Sequence, residues 1–296
     1  MPTQIDTLPA ASQPCMLLHG LISTPGEFTT VRQALERQGA QVFTPSLEGY
    51  SYTPGMSPSK WQEWLEAARR ELYAYTDAHG PVVLGGLCVG AAIAMALAAE
   101  EPKRVAGLVL LSPTLFYDGW GLSRWLNLRH IGYHLPFLAK WIRIDEREPY
   151  GVKNPQIRKW IAREMRQQSL SSAGAAKLPL WAIREAERLM KHVCKALPTI
   201  RAQSLILHAR EDEVASLKTP HYIMQTMGTR DKKLVVLENS YHMITLDNDR
   251  HTVVREMAEF LRRPIAVPQH VEVTASQRAA ATHNTIELGN TVCQPL

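Results

Sequence analysis

The chain has no apolar run of about 18 residues, so no segment qualifies as a membrane-spanning helix. Met1 to Pro14 shows neither a basic start nor an apolar stretch of signal-peptide length, and a cytoplasmic address is the expectation. Cysteine is scarce. Cys15, Cys88, Cys194 and Cys293 lack Cys-x-x-Cys spacing, which argues against a zinc site and a disulfide framework and leaves four thiols. A basic tail is missing too: the formal charge is only +5, and nucleic acid is not an expected partner. No internal repeat is evident, and no clear amphipathic stretch argues for contact with a membrane surface.

What remains is an ordinary globular composition, 296 residues of which 45% are hydrophobic, enough for one large core or two modest ones. Six apolar runs read as strands: Cys15 to Leu18, Gln41 to Thr44, Val82 to Leu87, Val105 to Leu111, Ser204 to Leu207 and Leu234 to Leu237. Most precede a helical pattern. Thr24-Pro25 opens one helix towards Gly39, a second runs from near Ser57 through Tyr73, and a third spans Asp249 to Leu261. Strands alternating with helices predict a mostly parallel sheet covered on both faces, an α/β fold.

The alternation stops between Phe116 and Pro198. That segment holds five of the seven tryptophans (Trp120, Trp125, Trp141, Trp160 and Trp181) and fifteen Lys and Arg against seven Asp and Glu. It reads as a helical cap inserted over the sheet. The expected organisation is a core at 1–116 and 200–263, a cap at 117–199 and a polar C-terminal tail at 264–296.

Chemistry concentrates at Gly86-Leu87-Cys88-Val89-Gly90. The motif lies between an apolar strand and the helix-forming run Ala91 to Glu100, where a sharp strand-to-helix turn lifts a nucleophile clear of the backbone and leaves no room for side chains beside it. Here the nucleophile is sulfur. Backbone N–H groups at the helix start favour negative charge on a thiolate or an oxyanion. The bland alternative is a packed cysteine acting as a small hydrophobe.

A thiol nucleophile needs a base and a group to orient it. His242 follows the last strand and is the candidate base. The loop His208-Ala-Arg-Glu-Asp-Glu-Val214 follows the strand before and offers Glu211, Asp212 and Glu213. Asp212 is favoured, since its two neighbours point away if it points in. The order Cys88, Asp212, His242 matches the nucleophile, acid, histidine order of the α/β-hydrolase architecture. An oxyanion hole requires two backbone donors, and the N–H groups of Leu21 and Val89 are the expected pair. His19 reads as a residue that holds its loop. Ser112, which follows a strand without flanking glycines, reads as structural.

These elements together resemble the α/β-hydrolase superfamily, and within it the small carboxylesterase and monoacylglycerol-lipase branch. The resemblance rests on LLHGL followed by TPGEF, GGLCVG, VAGLVLLSP, LILHAREDEV and LENSYHMITLD, in order across most of residues 15–263. It implies cleavage of small-molecule esters or thioesters through a covalent acyl-enzyme, without metal or organic cofactor. Cys88 departs from the serine usual in this branch. Cysteine elbows occur in relatives such as dienelactone hydrolases, polyhydroxyalkanoate synthases and some peptide-cyclising thioesterases.

Beside an imidazolium a thiol rests more readily as the thiolate, so Cys88 and His242 are expected to form an ion pair. The acyl-enzyme is then a thioester, which amines and thiols attack more readily than water does. Acyl transfer to an amine, alcohol or thiol is therefore the second reading, and a non-catalytic ligand-binding protein the third. Trp120 and Trp125 are expected to line an acyl channel whose cationic rim suits an anionic handle, unless the tryptophans simply pack the cap's own core. Acyl length, oligomeric state and pathway leave no mark on the sequence.

Overall fold

The computed structural model describes residues 12–122, 142–167, 170–171, 174–175 and 177–265. Six strands form one parallel sheet: β1 (Cys15–Leu18), β2 (Val42–Phe43), β3 (Val82–Leu87), β4 (Val105–Leu111), β5 (Gln203–Ala209) and β6 (Lys232–Leu237). Their spatial order is β6-β5-β4-β3-β1-β2. The expected α/β sheet is the observed one. The runs VVLGGL and VAGLVLL in β3 and β4 are buried throughout, as strands covered on both faces must be.

Register brings the strand ends level. Leu18 pairs with Gly86, Leu87 with Leu111, Leu111 with Leu207 and Ala209 with Leu237. The loops after β1, β3, β4, β5 and β6 consequently open on one edge, the C-terminal edge where parallel sheets bind ligands.

Seven helices are described: α1 (Thr29–Glu36), α2 (Trp61–His79), α3 (Val89–Glu100), α4 (Pro155–Gln167), α5 (Leu180–Ala196), α6 (Lys218–Thr226) and α7 (Arg250–Leu261). Helix α3 is apolar on every side, and Val89 through Ala98 are all buried. Its alanines let α2 and α5 pack close against it. Thr24 caps a single 3-10 turn (Pro25–Phe28), not the helix itself, which begins at Thr29. α2 starts at Trp61, later than Ser57. Pro58 disfavours helical backbone before it, and Ser59 is engaged instead with Gly49 O at 2.6 Å and the Trp64 indole at 2.7 Å.

Residues 117–199 are not wholly helical. Arg143–Asp145 pairs antiparallel with Lys177–Pro179, and Leu170–Ser171 with Gly174–Ala175. Strands of two or three residues are too short for a period-two signature to register. Helix α5, expected in the cap, packs instead on α3: Trp181, Ile183, Leu189 and Val193 share one apolar cluster with Ile93, Met95 and Trp64. Trp125 and Trp141 lie outside the described residues, as does the tail beyond Ile265. No helix among the described residues is long and apolar enough to cross a membrane.

Candidate active site

Cys88 occupies the turn between β3 and α3 with φ +57° and ψ −118°, a strained conformation for a residue bearing a side chain. The flanking glycines have no freedom to change. A Cβ on Gly86 would lie 2.3 Å from the Gly90 carbonyl carbon, and one on Gly90 would lie 2.1 Å from the Leu18 carbonyl oxygen. Close packing of α3 on β1 and β3 thus fixes the elbow. Gly20 meets it from the facing loop, where a Cβ would stand 3.7 Å from that of Cys88 and 3.3 Å from the Glu27 carboxyl.

His242 follows β6 and is buried. Its Nδ1 donates to Asp212 Oδ2 at 2.7 Å. The other ring nitrogen, Nε2, is buried without a hydrogen bond of normal geometry, and Cys88 interacts closely enough to alter the ring's ionisation. Burial alone disfavours the imidazolium. The Asp212 carboxylate, the nearby Cys88 sulfur and the hydrogen bond to Asp212 outweigh burial and hold the His242 pKa well above its ordinary value. Asp212 moves the other way: burial opposes its charge, but His242, His208 and the Ala215 N–H keep it below the usual carboxylate range. The geometry therefore favours a charged ring against a charged carboxylate.

Asp212 is itself held in place. Its Oδ1 accepts the N–H groups of Val214 and Ala215 at 2.8 and 2.9 Å. His208 stands behind it with Nε2 3.5 Å from Oδ2 and donates to Ala215 O at 2.8 Å, and burial pushes its pKa down. Of the flanking acids, Glu211 faces solvent and pairs with Lys153 at 2.9 Å, as expected. Glu213 does not point away. The Asx-type turn at Asp212 folds the chain back, Glu213 Oε2 accepts the His242 N–H at 3.0 Å, and the side chain lines the pocket.

The pocket at the strand ends is lined by Gly20, Leu21, Cys88, Tyr117, His242 and Met243, together with Glu27, Glu146 and Glu213. Leu21 stands beside Gly20 and Cys88. Val89 opens α3, so its N–H is one of the helix-terminal donors with no intrahelical acceptor. His19 is a loop anchor: its Nε2 lies 2.6 Å from Ser51 Oγ, its ring stacks on Tyr50, and burial pushes its pKa down to about 4. Ser112 clamps the base, its Oγ donating to His242 O at 2.7 Å from a backbone at φ +40°.

Trp120 is not brought to this pocket. It is 59% exposed, donates from its indole to Glu211 O at 2.9 Å and packs edge-on against Tyr241. Sequence patterns also passed over Glu27, Glu146 and Thr114. TPGEF gave a sign of Glu27, an acid directly before a helix, but a first-turn carboxylate is ordinarily solvated.

Glu27 is only 3% exposed, and its Oε2 accepts the Gly20 N–H at 2.7 Å. Burial raises its pKa to about 7, against the pull of Gly20, Ser23 and His242. Burial and the charge of Glu213 likewise raise Glu146 to about 7. Folded Glu27 keeps its proton where the unfolded chain has lost it, so its contribution to stability falls as pH rises from the ordinary carboxylate range to about 7. Between pH 5 and pH 8, Glu27→Gln is expected to lose about 2 kcal/mol less stability than the parent. Urea unfolding at the two pH values measures this, and equal losses would remove Glu27 as the cause.

Known proteins are similar to this chain in sequence and fold. The family model described as serine aminopeptidase, S33, matches residues 9–249. A thermostable monoacylglycerol lipase of Bacillus sp. (strain H-257) is 25% identical over 84% of this chain and 90% of its own length. A carboxylesterase of Bacillus subtilis (strain 168) is 20% identical over 87% and 95%. The crystal structure of Paleococcus ferrophilus monoacylglycerol lipase superposes with a TM-score of 0.70 at 16% identity, over 85% of this chain and 96% of that one.

Proposed function

We propose, as the chain belongs to the serine aminopeptidase S33 family and has the α/β-hydrolase fold, that it hydrolyses small carboxylic esters or thioesters through an acyl-thioester on Cys88. It is a lipase- or esterase-type hydrolase by family. One observation carries the reading. Cys88 stands in a glycine-walled elbow in the same pocket as His242, whose Nδ1 is held by Asp212 at 2.7 Å.

The Cys88 thiolate attacks the substrate carbonyl carbon, a C–S bond forms, and the carbonyl π electrons move to oxygen. The N–H groups of Leu21 and Val89 receive that oxyanion. Collapse breaks the bond to the leaving group, which takes the proton carried by His242 Nε2. Water then enters and gives a proton to His242 as it attacks the thioester. Expulsion of the thiolate releases the acid. Asp212 stays ionised throughout and keeps the proton-bearing Nδ1 turned towards itself.

The described pocket lining carries three carboxyl side chains and no Lys or Arg. This favours an uncharged ester of the monoacylglycerol kind over an acyl group with an anionic handle close to the sulfur, contrary to the expectation from the basic segment. Sulfur itself supports the second reading, acyl transfer. Product analysis separates the two: incubated with an ester and an excess of amine, alcohol or thiol, the protein is expected to release free acid equal to the ester consumed. Acyl amide, exchanged ester or exchanged thioester in excess of free acid would establish transfer instead.

A further inference from the structure

The sulfur has a neighbour that the triad does not use. Thr114 Oγ1 lies 3.5 Å from Cys88 Sγ, within hydrogen-bonding reach of a sulfur acceptor. It belongs to the loop Ser112-Pro113-Thr114 that leaves β4, the strand paired directly with β3 below the elbow. Thr114 is completely buried and is not among the residues lining the pocket, so it reaches the sulfur from the protein side and leaves the substrate side open. The loop is anchored by Ser112, which holds the backbone carbonyl of His242 at 2.7 Å. One short segment therefore touches both the nucleophile and the base.

A threonine hydroxyl has a single proton to give, and here it has two acceptors in reach, Ser112 O at 3.3 Å and the Cys88 sulfur. A neutral thiol or a thioester sulfur is a poor acceptor, so in those states the carbonyl takes the proton. A thiolate is a strong one. The hydroxyl can thus turn to the sulfur when negative charge is present and turn back when the acyl group is attached, keeping its proton throughout. Such a donor is preorganised for the two moments at which the thiolate exists, before attack and on departure in deacylation.

We propose that Thr114 is a further catalytic residue, donating a hydrogen bond to the Cys88 thiolate from behind the elbow. The proposal rests on Cys88 being the nucleophile. Valine keeps the shape of threonine without the hydroxyl, and serine keeps the hydroxyl without the methyl group. Thr114→Val is expected to lower kcat about tenfold with KM little changed, and to slow carboxamidomethylation of Cys88 by iodoacetamide at neutral pH by a smaller factor, about threefold, because the bond that favours the thiolate also lowers its nucleophilicity. Peptide mapping assigns the label to Cys88. Thr114→Ser is expected to restore both rates.

Unchanged rates in Thr114→Val, or a Thr114→Ser variant as slow as the valine one, would overturn the assignment and leave a packing role. Failure of the underlying reading looks different. If Cys88 in the parent protein alkylates no faster than a thiol in a denatured chain, and Cys88→Ala keeps activity, the nucleophile itself is misassigned and Thr114 falls with it.

Discussion

Cys88→Ala is expected to reduce ester turnover by at least about 10⁴-fold in kcat, to the level that oxyanion donors and binding alone sustain. The size of the effect follows from the geometry of the elbow. The pocket lining offers no second nucleophile that the elbow could present: its other polar side chains are Tyr117, Tyr150, three glutamates and His242. Alanine fits the site, since it is smaller than cysteine and keeps the same backbone demands, so the loss is chemical and the fold survives. Cys88→Ser keeps an oxygen nucleophile in the same turn and is expected to retain measurable turnover. That contrast separates loss of the nucleophile from collapse of the pocket. Steady-state hydrolysis of a chromogenic short-chain ester measures both, and an alanine variant within tenfold of the parent would refute the role of Cys88.

The second large effect belongs to the acid. Asp212→Asn is expected to lower kcat by about 10⁴-fold, because an amide NH₂ turned towards His242 Nδ1 would stabilise the tautomer that carries its proton on Nε2. Nε2 could then accept no proton from the incoming water. Removing the carboxylate also removes the leading influence that holds the His242 pKa up, so the imidazolium becomes scarcer at neutral pH. Asparagine retains an oxygen for the Val214 and Ala215 N–H groups, which Asp212 Oδ1 now accepts. The turn should persist, with KM nearly unchanged. A loss below tenfold would shift the orienting role to a different carboxyl, with Glu213, already bonded to the His242 backbone, first in line.

Much of this site is legible in the sequence, for physical reasons that differ by element. Continuous apolar runs mark strands buried on both faces, and β3 and β4 carry such runs almost from end to end. The glycines beside Cys88 were readable because a Cβ at either position would collide with backbone atoms. Polar reach was not legible. Glu213 folds back because Asp212 captures two backbone N–H groups, a contact that depends on tertiary placement and leaves no periodic trace. Glu27 and Thr114 come from the loops after β1 and β4, and only the register of the parallel sheet brings those loops to Cys88. Helix α5 follows the same rule: its sequence is amphipathic, and the face it buries is decided by the all-apolar surface of α3.

The central claim is that an acyl group passes through the sulfur of Cys88. It is tested most directly by mass spectrometry of the protein, quenched in acid within seconds of mixing with an acyl ester or acyl thioester. The account predicts a mass increase equal to one acyl group, mapped to the peptide containing Cys88, labile to hydroxylamine and absent from Cys88→Ala. An acyl group on any other residue, or an equal adduct in Cys88→Ala, would contradict it.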